Sequence, residues 1–463
     1  MFVTHSRILH RHLCRGLSTL QPTIKEQISS TPIGLLLETK GFVKSIRNSK
    51  NLSFLDLTDG TTSKVINVVL LGKEPPKFQI GQSVSIKGEW NISKGAKQDY
   101  ELIYNCKNPE HSYQIIGPVP EDYPLQKKAT SMSYLRTLPS LKHRTSTVSS
   151  FYRLRSFLET SVQKFFNNHD FTKVNPPLIT SSDCEGAGET FKIAQSEEFF
   201  QKQTYLTVSS QLHLESLALA LNRVWTLSPC FRAENSKTSR HLCEFWMLEA
   251  EVCYLNELDP LLDFTENLIK WVTRDLAQNY NNEYLNGVYL DENVIRSRWD
   301  NILKEEWKRV TYIEALNLIN EEGIDTLKFG DSLNLDHERF LAKNGPIFVT
   351  DYPESLKPFY MSKSKNYDSQ QPTVACFDLL LPEFGELVGG SLREHDYEVL
   401  KESMIKHNMK LDDMNWYLEL RRNGTIPHGG FGMGWERFIN YLSGHDNIRD
   451  IVPFPRAPNL CNA

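Results

Sequence analysis

Residues 231–246 read FRAENSKTSRHLCEFW, which sets cations, acids and rings in an order that no amphipathic helix or buried core requires. Arg232 closes a strand-like run and offers a planar fork of donors, able to bridge a phosphate and a carboxylate. Glu234 lies two residues on, on the same face of an extended chain, and can accept from an amino group. Residues 235–239 are turn formers. Arg240 and His241 follow, placed to meet outer phosphates, and Phe245 on the returning strand can stack on a base. Cation, acid, loop, cations, ring is a grip suited to ATP. A hairpin with a solvated charged tip is the plainer reading of this stretch alone.

Two further clusters carry chemistry. Asp378 and Glu386 bracket LLLPEFG between two strand patterns. Together they can hold Mg²⁺, which takes one or two carboxylates and completes its shell with phosphate oxygens. Paired acids at such spacing also arise by chance. In GMGWER (432–437), glycines that permit close backbone approach precede Arg437 at a helix start. Two other stretches mislead. GFGMG (430–434) lacks the spacing of a dinucleotide fingerprint, because Trp435-Glu436-Arg437 follow its last glycine. MSKSK (361–365) echoes the K-M-S-K-S loop of another enzyme class, whose H-I-G-H element and Rossmann sheet are missing, and it reads as an exposed loop.

The elements that must position these groups fall in two parts. Residues 30–108 read as five short alternating strands broken by turns, such as Thr58-Asp59-Gly60, which suits a five-stranded OB-type β-barrel, with an SH3-like barrel as the alternative. This part holds eleven Lys/Arg against seven Asp/Glu over residues 33–108, although the whole chain carries a net charge of −5. Residues 109–145, with Pro109, Pro118, Pro120, Pro124 and Pro139, read as a linker. In 146–463 the spacing of Phe151, Leu154, Leu158, Val162, Phe165 and Phe166 predicts a helix, followed by a strand, FTKVNPPLI. Strands then come in runs with helices between them, and residues 258–345 read as a mostly helical, inserted stretch. The expected class is α+β: the barrel, then a mainly antiparallel sheet flanked by helices.

Taken together, the clusters resemble the three signature motifs of class II aminoacyl-tRNA synthetases. The helix with the strand ending at Pro177 resembles the first motif, FRAE…RHLCEF the second and GGFGMGWERF the third. With the barrel upstream, the chain is similar to the subclass that charges Asp, Asn or Lys. The resemblance covers nearly everything beyond residue 30. It implies that Pro177 belongs to a homodimer interface. Arg232 is expected to bridge the α-phosphate and the substrate carboxylate, Glu234 to read the adenine amino group and Phe245 to stack on the ring. Arg437 closes the other face and reaches the γ-phosphate, helped by Arg240 and His241, with Leu242 and Gly434 beside them. Asp378 and Glu386 hold magnesium, Glu386 also meeting the nucleotide. Catalysis by Arg232 and Arg437 is then positioning and charge neutralisation, with no general base.

SSQLHLES (209–216) resembles the segment in which Ser209 and Gln211 hold the amino acid. Aspartate-charging members carry a Lys at the position of Leu214. Burying a substrate carboxylate without that cation costs several kcal/mol, roughly. Glu249 can accept from a side-chain amide and Arg393 can donate to its carbonyl, so asparagine satisfies both. Glu185 is expected in a loop that closes over the ammonium group. LRRNGTIPHGGFGMGWERF and NIRDIVPFPRAP resemble the bacterial and organellar asparagine-charging branch. The implied reaction is ligation of asparagine to tRNA(Asn) through an adenylate. In the barrel, Phe54 can stack on an anticodon base and Asn67 can hydrogen-bond one, with Arg47 nearby. Phe54 reads equally as core, and many relatives have Gln where Asn67 stands.

The first twenty residues hold Arg7, Arg11 and Arg15 and no acid, with Leu9, Leu13, Leu17 and Leu20 on one helical face. This is the composition of a mitochondrial presequence, and the matrix is the expected compartment. No run approaches the length of a membrane span, and eight scattered cysteines without a C-x-x-C pair argue against a zinc site or disulfide framework. The rival readings are a non-discriminating aspartate enzyme, a catalytically silent tRNA-binding paralogue and an ammonia-using asparagine synthetase on the same fold. Leu214 speaks against the first, the retained Arg232, Arg437, Asp378 and Glu386 against the second, and the barrel against the third.

Overall fold

In the structure, a computed structural model, the described residues are 20–462 apart from 50–51, 73–74, 96–97, 129, 182–189, 237, 280–283, 285–291, 305 and 446. The presequence and Glu185 therefore lie outside the described residues. The chain divides into two compact units, one up to Ser150 and one from Phe151 on.

The first unit is built on β1 (Leu36–Asn48), β2 (Leu52–Thr58), β3 (Ile66–Leu71), β4 (Ser83–Ile92), β5 (Tyr100–Asn105) and β6 (Ser112–Gly117). β1 pairs with both β2 and β4, β3 runs parallel to β5, and β5 returns to β4, so five strands close a barrel. Alternation directs the side chains: Leu55 and Leu57 of β2 join Val43, Val68, Val84, Ile86, Trp90 and Leu102 inside. The expected barrel is therefore present. The linker expectation needs correction, because its start forms β6 and pairs with β4. Every residue from Ser112 to Ile116 is exposed, so β6 has no buried face to give a period-two signal.

The second unit opens within α1 (Ser146–Asn168), whose predicted apolar stripe is buried throughout. The Phe166 ring stacks on Trp225, centroids 4.5 Å apart and planes 7° from parallel, which fixes the helix on the sheet. The following strand is shorter than expected. Only β7 (Thr172–Lys173) joins the main sheet, and after Pro176-Pro177, which have no N–H to give a ladder, β8 (Ile179–Thr180) pairs with β9 (Tyr205–Leu206) instead. Next come α2 (Gln211–Leu221), β10 (Arg223–Phe231), β11 (Glu244–Cys253), α3 (Asp259–Asn279), α4 (Glu292–Leu303), β12 (Lys308–Thr311), α5 (Tyr312–Glu321), α6 (Leu335–Leu341) and β13 (Ile347–Thr350). They are followed by β14 (Cys376–Leu381), β15 (Gly385–Leu392), α7 (Tyr397–Lys406), α8 (Asn415–Arg422), β16 (His428–Gly434) and α9 (Trp435–Ser443).

Eight strands form one sheet in the order β12-β13-β14-β15-β16-β11-β10-β7, antiparallel except at its two edges. The stretch 258–345 is mostly helical, as its pattern predicts. It is not wholly an insertion, since β12 is an edge strand of the main sheet. MSKSK is also more than an exposed loop. Met361 and Lys363 bridge to Arg393 and Val374, and the buried Ser364 hydroxyl donates to Asp351 at 2.6 Å, leaving Lys363 and Lys365 exposed.

Candidate active site

The β10–β11 hairpin carries the FRAE…RHLCEF groups. Phe231 pairs with Glu244, and the Arg232 N–H donates to Cys243 O at 3.0 Å, so the ladder runs one residue past the strands before the loop opens. The Arg232 guanidinium lies 5.5 Å from the centre of the Phe245 ring. His241 bonds Thr238 Oγ1 at 2.6 Å and stands 4.0 Å from Glu234. Burial first, then the positive charges of Arg437, Arg240 and Arg232, hold the His241 imidazole below its ordinary value, against Glu234. Arg240 donates to Phe384 O, with its guanidinium 4.7 Å from that ring, and Arg437 donates to Glu386 O at 3.3 Å. Three arginines and His241, from the hairpin and from α9, thus feel one another around one half-buried space. Leu242 is buried behind them.

Glycines make the floor of that space. Glu249 of β11 pairs with Gly432 of β16, which pairs with Gly389 of β15. A Cβ at Gly389 would lie 3.5 Å from Glu386 Oε1 and 3.6 Å from Asp378 Oδ1, so both carboxylates converge over that bare position. At Gly434 an added Cβ would touch the stem of Arg437 at 3.4–3.6 Å. Asp378 has a partner that sequence reasoning missed: Lys357 Nζ donates to both of its oxygens, at 2.9 and 2.7 Å. Burial alone would lower the Lys357 ammonium, but Asp378 keeps it well above its ordinary value.

The opposite end of the floor holds the groups expected to read an amino acid. Ser209 Oγ donates to Glu249 Oε1 at 2.5 Å and the Ser210 N–H reaches the same carboxylate at 3.0 and 3.1 Å. Burial raises Glu249 above the usual carboxylate range, opposed by these hydrogen bonds. Arg393 does not bond Glu249. Its Nε donates to Glu251 Oε1 at 3.0 Å, its Nη2 to the same oxygen at 2.5 Å, and its Nη1 to Ser391 at 2.7 Å. Gln211 donates to Glu215 at 3.1 Å, and that buried carboxylate also receives Arg421, Tyr417 and His428. Leu214 is fully buried in an apolar cluster with Ala218, Val224 and Cys253. Sequence reasoning missed Glu251 and Glu215. The first carried a signal, since in WMLEAE it shares a strand face with Glu249; the second carried none.

In the barrel unit the three expected nucleotide-reading residues share the outer face. Arg47 pairs with Phe54 in register and its guanidinium sits 5.4 Å from the ring, which is half-buried and not part of the barrel core. Asn67 is buried, and its amide donates to Asp56 Oδ1 at 2.8 Å. Pro177 is exposed.

The chain thus joins an OB-type barrel unit to an α+β unit whose mainly antiparallel sheet carries the clustered arginines and carboxylates. A family model for tRNA synthetases class II (D, K and N) matches residues 132–458, and one for the OB-fold nucleic acid binding domain matches residues 38–107. The chain belongs to the class II tRNA synthetases of the D, K and N group. It is 42% identical over 473 residues to the mitochondrial asparagine–tRNA ligase of Saccharomyces cerevisiae, covering 94% of each chain. With the mitochondrial asparagine–tRNA ligase of Schizosaccharomyces pombe it is 40% identical over 462 residues, 95% of this chain and 98% of that one. Among solved structures, asparaginyl-tRNA synthetase from Pyrococcus horikoshii complexed with asparaginyl-adenylate superposes with a TM-score of 0.84 at 27% identity, over 96% of this chain and all of that one. The Entamoeba histolytica asparaginyl-tRNA synthetase gives 0.80 at 28% identity, over 94% and 98%.

Proposed function

We propose that the chain ligates asparagine to tRNA(Asn) in the mitochondrial matrix, through an asparaginyl-adenylate, acting as a homodimer with Pro177 at its interface. The observation that carries this reading is the meeting of Arg232, Arg240, His241 and Arg437 over a glycine floor that ends in a buried Glu249. In the first step the asparagine carboxylate attacks the α-phosphorus of ATP and pyrophosphate leaves. Arg232 bridges carboxylate and α-phosphate, Glu234 reads the adenine amino group, Phe245 and Arg437 enclose the ring, and Arg240 and His241 neutralise the outer phosphates. In the second step a ribose hydroxyl of the tRNA 3′ end attacks the acyl carbonyl and AMP leaves.

Ser209, Gln211 and Glu185 hold the amino acid, with Leu214 near them, while Glu249 and Arg393 read the amide. The paired carboxylates Asp378 and Glu386 suit Mg²⁺ by their chemistry, two hard anionic donors facing a bare backbone position, and the ion would share Asp378 with Lys357, which donates to both of its oxygens. When bound, the ion neutralises phosphate charge. Residues 30–108, through Arg47, Phe54 and Asn67, read the anticodon, and 109–145 join that domain to the catalytic one, 146–463. ATP–pyrophosphate exchange with asparagine and aspartate side by side, followed by tRNA charging, tests the reading. Exchange with asparagine alone is expected, and exchange with aspartate alone overturns it.

A further inference from the structure

The turn from Pro382 to Glu386, which joins β14 to the first residues of β15, is gripped at both ends by consecutive residues of α6. Arg339 Nε donates to Glu383 O at 2.9 Å, and the Glu386 N–H donates to Glu338 Oε2 at 3.0 Å. Between these grips sit the two outer-phosphate cations. Arg240 donates to Phe384 O, and Arg437 to Glu386 O at 3.3 Å. The two guanidiniums repel, since Arg240 is pulled below its ordinary value by burial first and by Arg437 next. Carbonyls of one short turn therefore set the spacing that repulsion opposes.

The turn is shaped to receive α6. Gly385 has φ +86°, and a Cβ there would lie 2.5 Å from Glu338 Oε2 and 2.9 Å from Leu335 Cδ1. The helix is itself fixed. Asn334 caps it, accepting from the Asp336 and His337 N–H groups at 2.9 and 3.1 Å, and the buried His337 ring meets Asp325 at 3.1 Å. α6 comes from the stretch 258–345, for which no signature motif supplies a role.

We propose that α6 braces the triphosphate pocket and that Glu338 is a positioning residue, which sets the spacing of Arg240 and Arg437 through the backbone of the Pro382–Glu386 turn before nucleotide arrives. This rests on the assignment of those two arginines to the outer phosphates. A site set in advance loses less freedom on binding, so its loss appears in nucleotide affinity. Glu338 works here as a hydrogen-bond acceptor, which glutamine also supplies and alanine does not.

The test measures the Kd of Mg²⁺-ATP by calorimetry and KM for ATP and asparagine in pyrophosphate exchange, on the full chain. Glu338→Ala is expected to raise Kd and KM for ATP about tenfold, with KM for asparagine unmoved, and Glu338→Gln to retain most of the affinity. Arg339→Ala, on the exposed side of α6, is expected to move ATP parameters the same way and keeps the test open if Glu338→Ala misfolds. Wild-type ATP affinity in Glu338→Ala or Arg339→Ala, or Glu338→Gln as damaging as Glu338→Ala, overturns the brace. Equal losses for asparagine overturn it too. A wild-type chain that binds no ATP overturns the phosphate assignment itself.

Discussion

Two glycines of β16, two residues apart, separate what the fold needs from what the ligand needs. A Cβ at Gly430 would lie 2.2 Å from Ala250 O and 2.4 Å from the Glu251 carboxyl. Neither obstacle can yield cheaply, because one is sheet backbone and the other is clamped by Arg393. Overpacking costs about 1–3 kcal/mol, and disturbing a buried ion pair adds roughly 3–5 kcal/mol when a partner is lost. Gly430→Ala should therefore destabilise the catalytic unit by at least about 3 kcal/mol. At Gly432 the nearest atoms are Met247 Cε at 2.9 Å, the free end of a flexible side chain, and Glu249 Cγ at 3.7 Å. Rotating a methionine costs under about 1 kcal/mol, so Gly432→Ala should fold almost normally. Its methyl instead covers the floor beside Glu249, where a displacement of about 1 Å costs on the order of 100-fold in rate. Urea midpoints followed by near-UV circular dichroism, beside asparagine-dependent pyrophosphate exchange, check both. A Gly432→Ala enzyme that exchanges at the wild-type rate, or a Gly430→Ala chain with the wild-type midpoint, would refute the floor.

His241 lies below its ordinary value in the free site, so it is neutral at pH 7.5; under the proposed reading a bound triphosphate raises it. Binding then takes up a proton, and ATP affinity should rise as pH falls from 7.5 to 6 more steeply than in His241→Gln; equal slopes, with no proton uptake by calorimetry in two buffers, refute this. Burial would raise the Glu215 carboxyl, but Arg421 and then His428 outweigh it and hold it well below the usual range. Its contribution is present above its unfolded value near 4.5 and lost as pH falls through the folded one, and Glu215→Ala should cost about 3–5 kcal/mol at pH 7. A thermal midpoint within a degree of wild type would contradict that. Leu214→Lys places an ammonium in the Ala218–Val224–Cys253 cluster and should either cost about 3 kcal/mol or more or abolish asparagine use; an enzyme unchanged in both midpoint and asparagine kinetics sinks the prediction.

What the sequence made legible was local. The groups assigned to ATP lie largely in one hairpin, with Arg232, Glu234, Arg240 and His241 in the connection between β10 and β11 and Phe245 on the returning strand, so a single local stretch shows them together. The barrel strands were legible where one face is buried, and β6 was not because neither face is. β12 escaped because KRVT carries two charges at the sheet edge, and the strand after α1 was overdrawn across Pro176-Pro177. The ionic core was out of reach for another reason. Glu215, Glu251, Arg393, Tyr417, Arg421 and His428 meet from positions up to 213 residues apart; Glu251 is linked only to Glu249 by strand alternation, and nothing in the pattern joins the group.

That hidden core changes how the amide is chosen. Under the proposed reading Arg393 faces the substrate side chain, and an unopposed guanidinium would favour aspartate. It is opposed: Glu251 takes its Nε and Nη2, and the buried Glu215 adds a second negative charge beside it. One cation between two acids repels a third carboxylate, whereas an amide can donate to Glu249 and accept from Arg393. On that reading Leu214 withholds a cation and the Glu251–Arg393 pair supplies the rejection. Burial first, and then the charge of Glu215, push the Glu251 carboxyl up to about 7 against the pull of Arg393. Protonating it removes one negative charge and releases Arg393, so exchange with aspartate relative to asparagine should climb as pH falls from 8 to 6. Glu251→Gln should show the acid-side ratio at every pH. A ratio that stays flat in the wild type and unchanged in the variant would mean that the rejection of aspartate lies elsewhere.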